Sequence, residues 1–262
     1  MFKSKTLITG MLVSALTVSA IAEEEAHIDA FLAVDPSGKL ITGGFDFDTS
    51  AIDNLNTRVY EAEFEGPFGA DGVWTTDEPG FNAISNTTPG LPDGYSTLPG
   101  STSVTWNANA FEIDSIGSNF WFWDGSGEVN FAPVVAPTVL EISKAPAAAF
   151  SEILDGSDVD VTGFEIDESG ADGFLHKHID FSVFNTDASD VTAGFYLWSL
   201  TINAGDLATD PLYFVHGLGL ENEEAHEAAA EFIESTLVPE PASAMLVAAG
   251  ATLLVRRRRS AR

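Results

Sequence analysis

From residue 27 onward the chain is cut into short stretches in which apolar and polar residues alternate, each closed by Gly, Pro, Asn or Asp. A period of two is the period of a strand, and stretches this short leave no room for a set of helices. The strand candidates are His27–Val34, Lys39–Thr42, Arg58–Glu65, Ser103–Ile113, Asn119–Trp123, Thr138–Ser143, Val159–Ile166, Phe174–Phe184, Phe195–Ile202 and Leu212–Val215. Asp35-Pro36-Ser37-Gly38 reads as a hairpin turn, with Pro presetting one dihedral and Gly supplying another. Gly66 to Gly100 carries Pro67, Pro79, Pro89, Pro92 and Pro99, which predicts a long ordered loop or flap rather than a strand pair. One helix is predicted, Glu221–Ser235, with Ala225, Ala228, Ala229, Phe232 and Ile233 as its buried stripe. The expected fold is all-β, an antiparallel, jelly-roll-like β-sandwich with one C-terminal helix. No cysteine occurs, so the hydrophobic core has to hold it together without disulfides.

Both ends carry addresses. Lys3 and Lys5 precede an apolar run from Leu7 that closes with Ala20-Ile21-Ala22, the pattern of a secretory signal peptide over 1–22. The ectodomain is then 23–237. The C-terminal segment 238–262 joins Pro239-Glu240-Pro241 to a 14-residue apolar stretch, Ala242 to Val255, and then to Arg256 through Arg259. A helix needs about 20 apolar residues to cross a bilayer unaided, and the arginines favour the cytoplasmic side. The segment therefore predicts a membrane stop that is held only transiently.

Eleven basic residues face 40 acidic ones, for a net charge of −29. Within 23–237 only Lys39, Arg58, Lys144 and Lys177 are cationic. Such a chain repels phosphate backbones, so nucleic acid is excluded as a partner. It attracts divalent cations and stays soluble in salt.

The residues with chemistry to offer are few. In Phe174–Phe184 an uninterrupted strand puts His176, His178 and Asp180 on one face, opposite Leu175, Ile179, Phe181 and Val183. In the first strand Ile28, Ala30, Leu32 and Val34 form an apolar face, and His27 and Asp29 sit together on the other. Two imidazoles on alternate strand residues can converge on one cation, and imidazole with carboxylate suits zinc better than calcium. The candidate metal set is His27, His176 and His178 as nitrogen ligands, with Asp29 or Asp180 supplying oxygen. Binding is expected to weaken below about pH 6 as imidazoles protonate. The ordinary alternative is a row of polar residues on a half-exposed sheet. His216 and His226 read as packing or surface histidines. The Asp155–Asp160 and Asp167–Gly173 turns are acidic but do not fit an EF-hand loop. Asn119–Asp124 is rich in aromatics, which leaves a carbohydrate-binding reading open. No G-x-S-x-G elbow and no Gly-rich phosphate loop occurs, and the chain reads as a binding or structural protein rather than an enzyme.

The tail resembles the PEP-CTERM sorting signal of exosortase substrates, with Pro239, Glu240 and Pro241 in the place of the namesake motif. Further pieces resemble planctomycete-type PEP-CTERM surface proteins: Ala26-His27-Ile28-Asp29, Gly38 through Gly44, Gly173 through Phe181, Gly194-Phe195-Tyr196-Leu197, and Asp210 through Leu220. They are also similar to a zinc-repressed PEP-CTERM family and, distantly, to actinobacterial surface-anchored domains with H-x-H, from which this chain departs at Ile179-Asp180-Phe181. The resemblance implies exosortase and the secretion machinery as partners. It implies an inner-membrane-anchored precursor, then a cell-surface or extracellular product, with exopolysaccharide as a further partner and zinc as the associated metal. A cupin-like metalloenzyme shares H-x-H, but here no well-placed Glu follows it.

Overall fold

The computed structural model describes residues 28–46, 49, 51–69, 72–220 and 222–238. Residues 1–22, read above as a signal peptide, His27, and the stretch from Pro239 onward, read as a sorting signal, lie outside the described residues. Among the described residues no helix is long and apolar enough to cross a membrane.

Among the described residues the fold is an all-β sandwich with a single helix, which follows the last strand. Its central layer is an eight-stranded sheet built around Gly194–Ala204, which pairs antiparallel with Leu212–Leu218, Trp121–Trp123 and Ser103–Ala108. Along this strand Tyr196, Trp198, Leu200 and Ile202 point one way and Phe195 and Leu197 the other, and all are buried. The even-numbered set meets two five-stranded sheets that together form the facing layer. One contributes Ala30, Leu32, Leu40 and Phe81 to the core, the other Leu140, Ile142, Phe181 and Val183. Phe181 lies 5.4 Å from Trp198 and 5.7 Å from Phe214 between ring centroids, so the core seam is aromatic.

The odd-numbered set meets the helix Glu223–Leu237, whose Ala225, Ala229 and Ile233 pack on Phe195, Leu197 and Val215. Asn222 caps the helix by accepting a hydrogen bond from the Ala225 amide, and Glu223 and Glu224 follow at the positive end of the helix dipole. The buried stripe is Ala225, His226, Ala229, Ala230 and Ile233. It is rotated from the predicted one, because Ala228 and Phe232 are only half-buried.

Three expectations are corrected. Gly66 to Gly100 is not all loop. Glu65–Phe68 and Val73–Thr76 pair as a hairpin, and Phe81–Ala83 pairs parallel to Ile28–Val34. Pro67 is tolerated because Glu65–Phe68 is an edge strand, and Pro79 precedes its strand. Pairing is also not uniformly antiparallel, since Leu212–Leu218 runs parallel to Val59–Glu63. Phe174–Phe184 is two strands: Leu175–Lys177 pairs with Phe81–Ala83, and Asp180–Asn185 pairs with Thr138–Ser143 in the other sheet. The chain changes sheets at His178-Ile179, while Leu175, Ile179 and Phe181 all stay in the core.

Candidate metal centre

The site lies on the outer face of the sheet that holds Ile28–Val34. That face was expected to be polar, yet beyond Asp29 it continues with Phe31 and Ala33, both fully buried with Phe45 and Ile84. The sheet is covered on both faces, and Asp29 is a carboxylate with no exposed surface. A buried carboxylate needs donors or a cation to be stable. The Gly80 amide is one donor, 2.9 Å from Asp29 Oδ1.

Cross-strand register places the other partners. His176 pairs with Asn82, which in turn pairs with Phe31, so these three side chains share Asp29's face. His176 Nε2 lies 3.6 Å from Asp29 Oδ2 and 3.2 Å from His178 Nε2. Asp29, His176 and His178 each offer one ligand atom, and these atoms all lie within 4.8 Å of one another. Two ligand atoms on a tetrahedral zinc, each about 2.05 Å from the metal, stand about 3.3 Å apart. The observed spacings bracket that value.

His178 is oriented from behind. Its Nδ1 is 2.9 Å from the Asp77 carbonyl oxygen, which can only accept, so Nδ1 carries the proton and donates it. The carboxylates of Asp77 and Glu78, at 3.7 and 3.8 Å, face the same nitrogen. The other ring nitrogen, Nε2, faces His176 and Asp29. This is the tautomer a metal-binding imidazole needs, set by a hydrogen bond on the far side of its ring. Asp77, Glu78 and His178 also form a compact group of their own. With the Nδ1 proton engaged by a carbonyl, that group serves to orient the ring.

Gly80 makes room for all this. A Cβ there would lie 2.6 Å from His178 Nε2 and 2.7 Å from Asp29 Oδ1. The close approach of His178 and Asp29 thus needs a residue without a side chain at position 80, and two imidazoles with one carboxylate are a donor set that suits a divalent transition metal.

Of the sequence-predicted ligands, Asp29, His176 and His178 come together. His27 lies outside the described residues, and Asp180 is carried elsewhere. Asp180 pairs with Ser143 beyond the break in the strand. It borders a cleft of about 310 Å³ with Lys144, Lys177 and His178. Desolvation, then the charges of Asp77 and Glu141, raise its carboxyl above the usual range. Gly80 and the Asp77 carbonyl were missed by sequence reasoning, because a loop backbone carries no motif. His216 sits in the core against Trp198, with ring centroids 4.5 Å apart, and belongs to neither ligand group.

The four cations between residues 23 and 237 are all engaged within the fold. Lys39 pairs with Asp210 at 2.6 Å and Lys177 with Asp167 at 3.7 Å. Arg58 donates to the Pro211 carbonyl, and Lys144 donates to the Ile166 carbonyl over the Phe150 ring. No protein-family model matches the chain, and no curated protein matches it.

Proposed function

We propose that this is an exported surface or extracellular-matrix protein whose β-sandwich binds a divalent transition metal, zinc foremost, through Asp29, His176 and His178. The single observation that carries the reading is the convergence of two imidazole Nε2 atoms and one buried carboxylate oxygen at ligand-to-ligand spacing. His27, two residues before Asp29, is the proposed fourth ligand on sequence grounds. The role is binding rather than catalysis. Zinc supplies charge to a buried carboxylate and draws two strands of one sheet, Ile28–Val34 and Leu175–Lys177, together across Phe81–Ala83. The signal peptide, the Pro239-Glu240-Pro241 motif and the arginine-ended apolar stretch support export, transient membrane retention and exosortase processing.

Titrating the purified protein with zinc, beside a His176→Ala, His178→Ala double variant, tests the metal. Micromolar or tighter binding is expected, lost in the double variant. Equal heats from both proteins remove the reading.

A further inference from the structure

Asn82 stands between Phe81 and Ala83, which both face the core, so its side chain points to the outer face of its sheet. It is only 3% exposed there, and its carboxamide makes no hydrogen bond among the described residues. A buried amide without a partner costs free energy unless something in the space beside it supplies one. The space is a cavity of about 360 Å³, lined by Phe45, Ile52, Asn82, Ile84, Phe174 and His176, among others. Its floor is the sheet itself, because Phe45 pairs with Ile52 and Asn82 with His176 across neighbouring strands. Another wall is the backbone at Gly90, where a Cβ would lie 3.5 Å from Ile52 Cδ1 and 3.8 Å from Ile84 Cδ1. Phe174 is half-exposed, so the cavity opens to water beside an aromatic ring. The volume falls at the small end of the range for small-molecule sites.

We propose that this cavity binds a small uncharged carboxamide with an aromatic or branched apolar body, its amide paired with Asn82 and its body against Phe45, Ile52, Ile84 and Phe174. The head group follows from what lines the cavity. Among the described residues no Lys, Arg, Asp or Glu belongs to the wall, and its one titratable side chain, His176, turns Nε2 toward Asp29 and His178. A charged head would lose its water and find no counter-charge. A carboxylate would in addition meet Asp29, Asp77 and Glu78 at the adjoining histidines. An asparagine amide offers a donor and an acceptor side by side, and a second carboxamide answers both at once. A hydrocarbon of the same shape answers neither and leaves Asn82 unpaired. The apolar wall gains from taking the body out of water. The amide occupies no coordination position, so this site does not depend on a bound ion.

The test is calorimetric titration of the full-length protein with phenylacetamide, phenylacetate, phenethylamine and toluene, each with saturating zinc and again with a chelator. Phenylacetamide is expected to bind about tenfold or more tightly than the other three in both conditions. Asn82→Leu is expected to abolish the preference over toluene. Ile52→Trp, which fills the cavity, is expected to weaken phenylacetamide about tenfold or more while zinc titrates as in the parent. Equal or tighter binding of phenylacetate, phenethylamine or toluene overturns the inference. So do a requirement for zinc, no detectable binding of any probe, or unchanged binding in both variants. The zinc titration of the parent is a separate reading, so failure here and failure of the metal proposal are told apart.

Discussion

His216 projects from the strand Leu212–Leu218 into the core, His226 packs on the opposite face of that strand from the helix, and the fold treats them as opposites. His216 points into the aromatic core with both ring nitrogens buried and without a partner, and burial followed by the nearby His226 charge holds its pKa well below the ordinary value. His226, on the helix, donates from Nε2 to the Val215 carbonyl at 2.8 Å, and its Nδ1 faces Glu63 Oε1 at 3.2 Å. Both nitrogens face acceptors, an arrangement that favours the protonated ring. Burial alone would lower its pKa, but the Glu63 hydrogen bond, the Val215 carbonyl and the charges of Glu61 and Glu63 outweigh burial and raise it.

His216→Leu is expected to stabilise the protein, because an unsatisfied buried polar ring is replaced by an apolar side chain of similar size. A gain of about 1–2 kcal/mol follows from the usual cost of such a group, or roughly 3–6 °C in Tm for a chain of this size. The gain should grow between pH 7 and pH 5. The unfolded chain takes up a proton below about pH 6.5 that the buried ring refuses, so His216 costs stability as pH falls. Chemical denaturation at several pH values checks both points. A loss of stability at pH 7 would contradict the assignment.

His226→Gln has the opposite profile. A raised folded pKa contributes stability that is complete below about pH 6.5 and fades as pH rises through the folded value. The deficit of the variant should therefore be largest near pH 6 and shrink toward pH 9. Glu63→Gln should reproduce part of it, since the Glu63 carboxylate is one of the three groups that favour the protonated ring.

Gly80→Ala tests the geometry of the metal site with one methyl group. The added Cβ overlaps His178 Nε2 and Asp29 Oδ1, so zinc affinity should fall at least tenfold. The β circular-dichroism signature should be kept, since the new atom meets side chains at the face of the sheet. Undiminished zinc binding would place the ion elsewhere.

Asp29→Asn and Asp180→Asn separate two carboxylates that the sequence presents as equivalent. The first is expected to lose zinc binding and the second to keep it, read from the same calorimetric titration.

Zinc should also raise the melting temperature. At a free concentration one hundredfold above Kd the folded state gains about 2.7 kcal/mol. A chelator should reverse the shift, and the His176→Ala, His178→Ala double variant should not show it.

The pairing of His176 with His178 was legible from alternation, and so was the presence of Asp29 in the first strand. The exclusion of Asp180 was not. Alternation assumes an unbroken strand, and the change of sheet at His178-Ile179 is made by core packing of Leu175, Ile179 and Phe181 on different partners. Sequence spacing holds no record of which sheet a residue joins. The burial of Asp29 was equally hidden, because Phe31 and Ala33 on its face are covered by loop residues around Ile84 and Leu91, far along the chain.

The order of residues by itself determined that the sandwich is all-β, that a helix follows its last strand and that the chain is acidic, because period, turn chemistry and charge are local or additive properties. Which two strands stand on either side of Gly80, which carboxylate joins the two imidazoles and which histidine is left alone in the core were decided only by tertiary structure. Those outcomes depend on register between distant strands, and register is set by how the whole aromatic core packs.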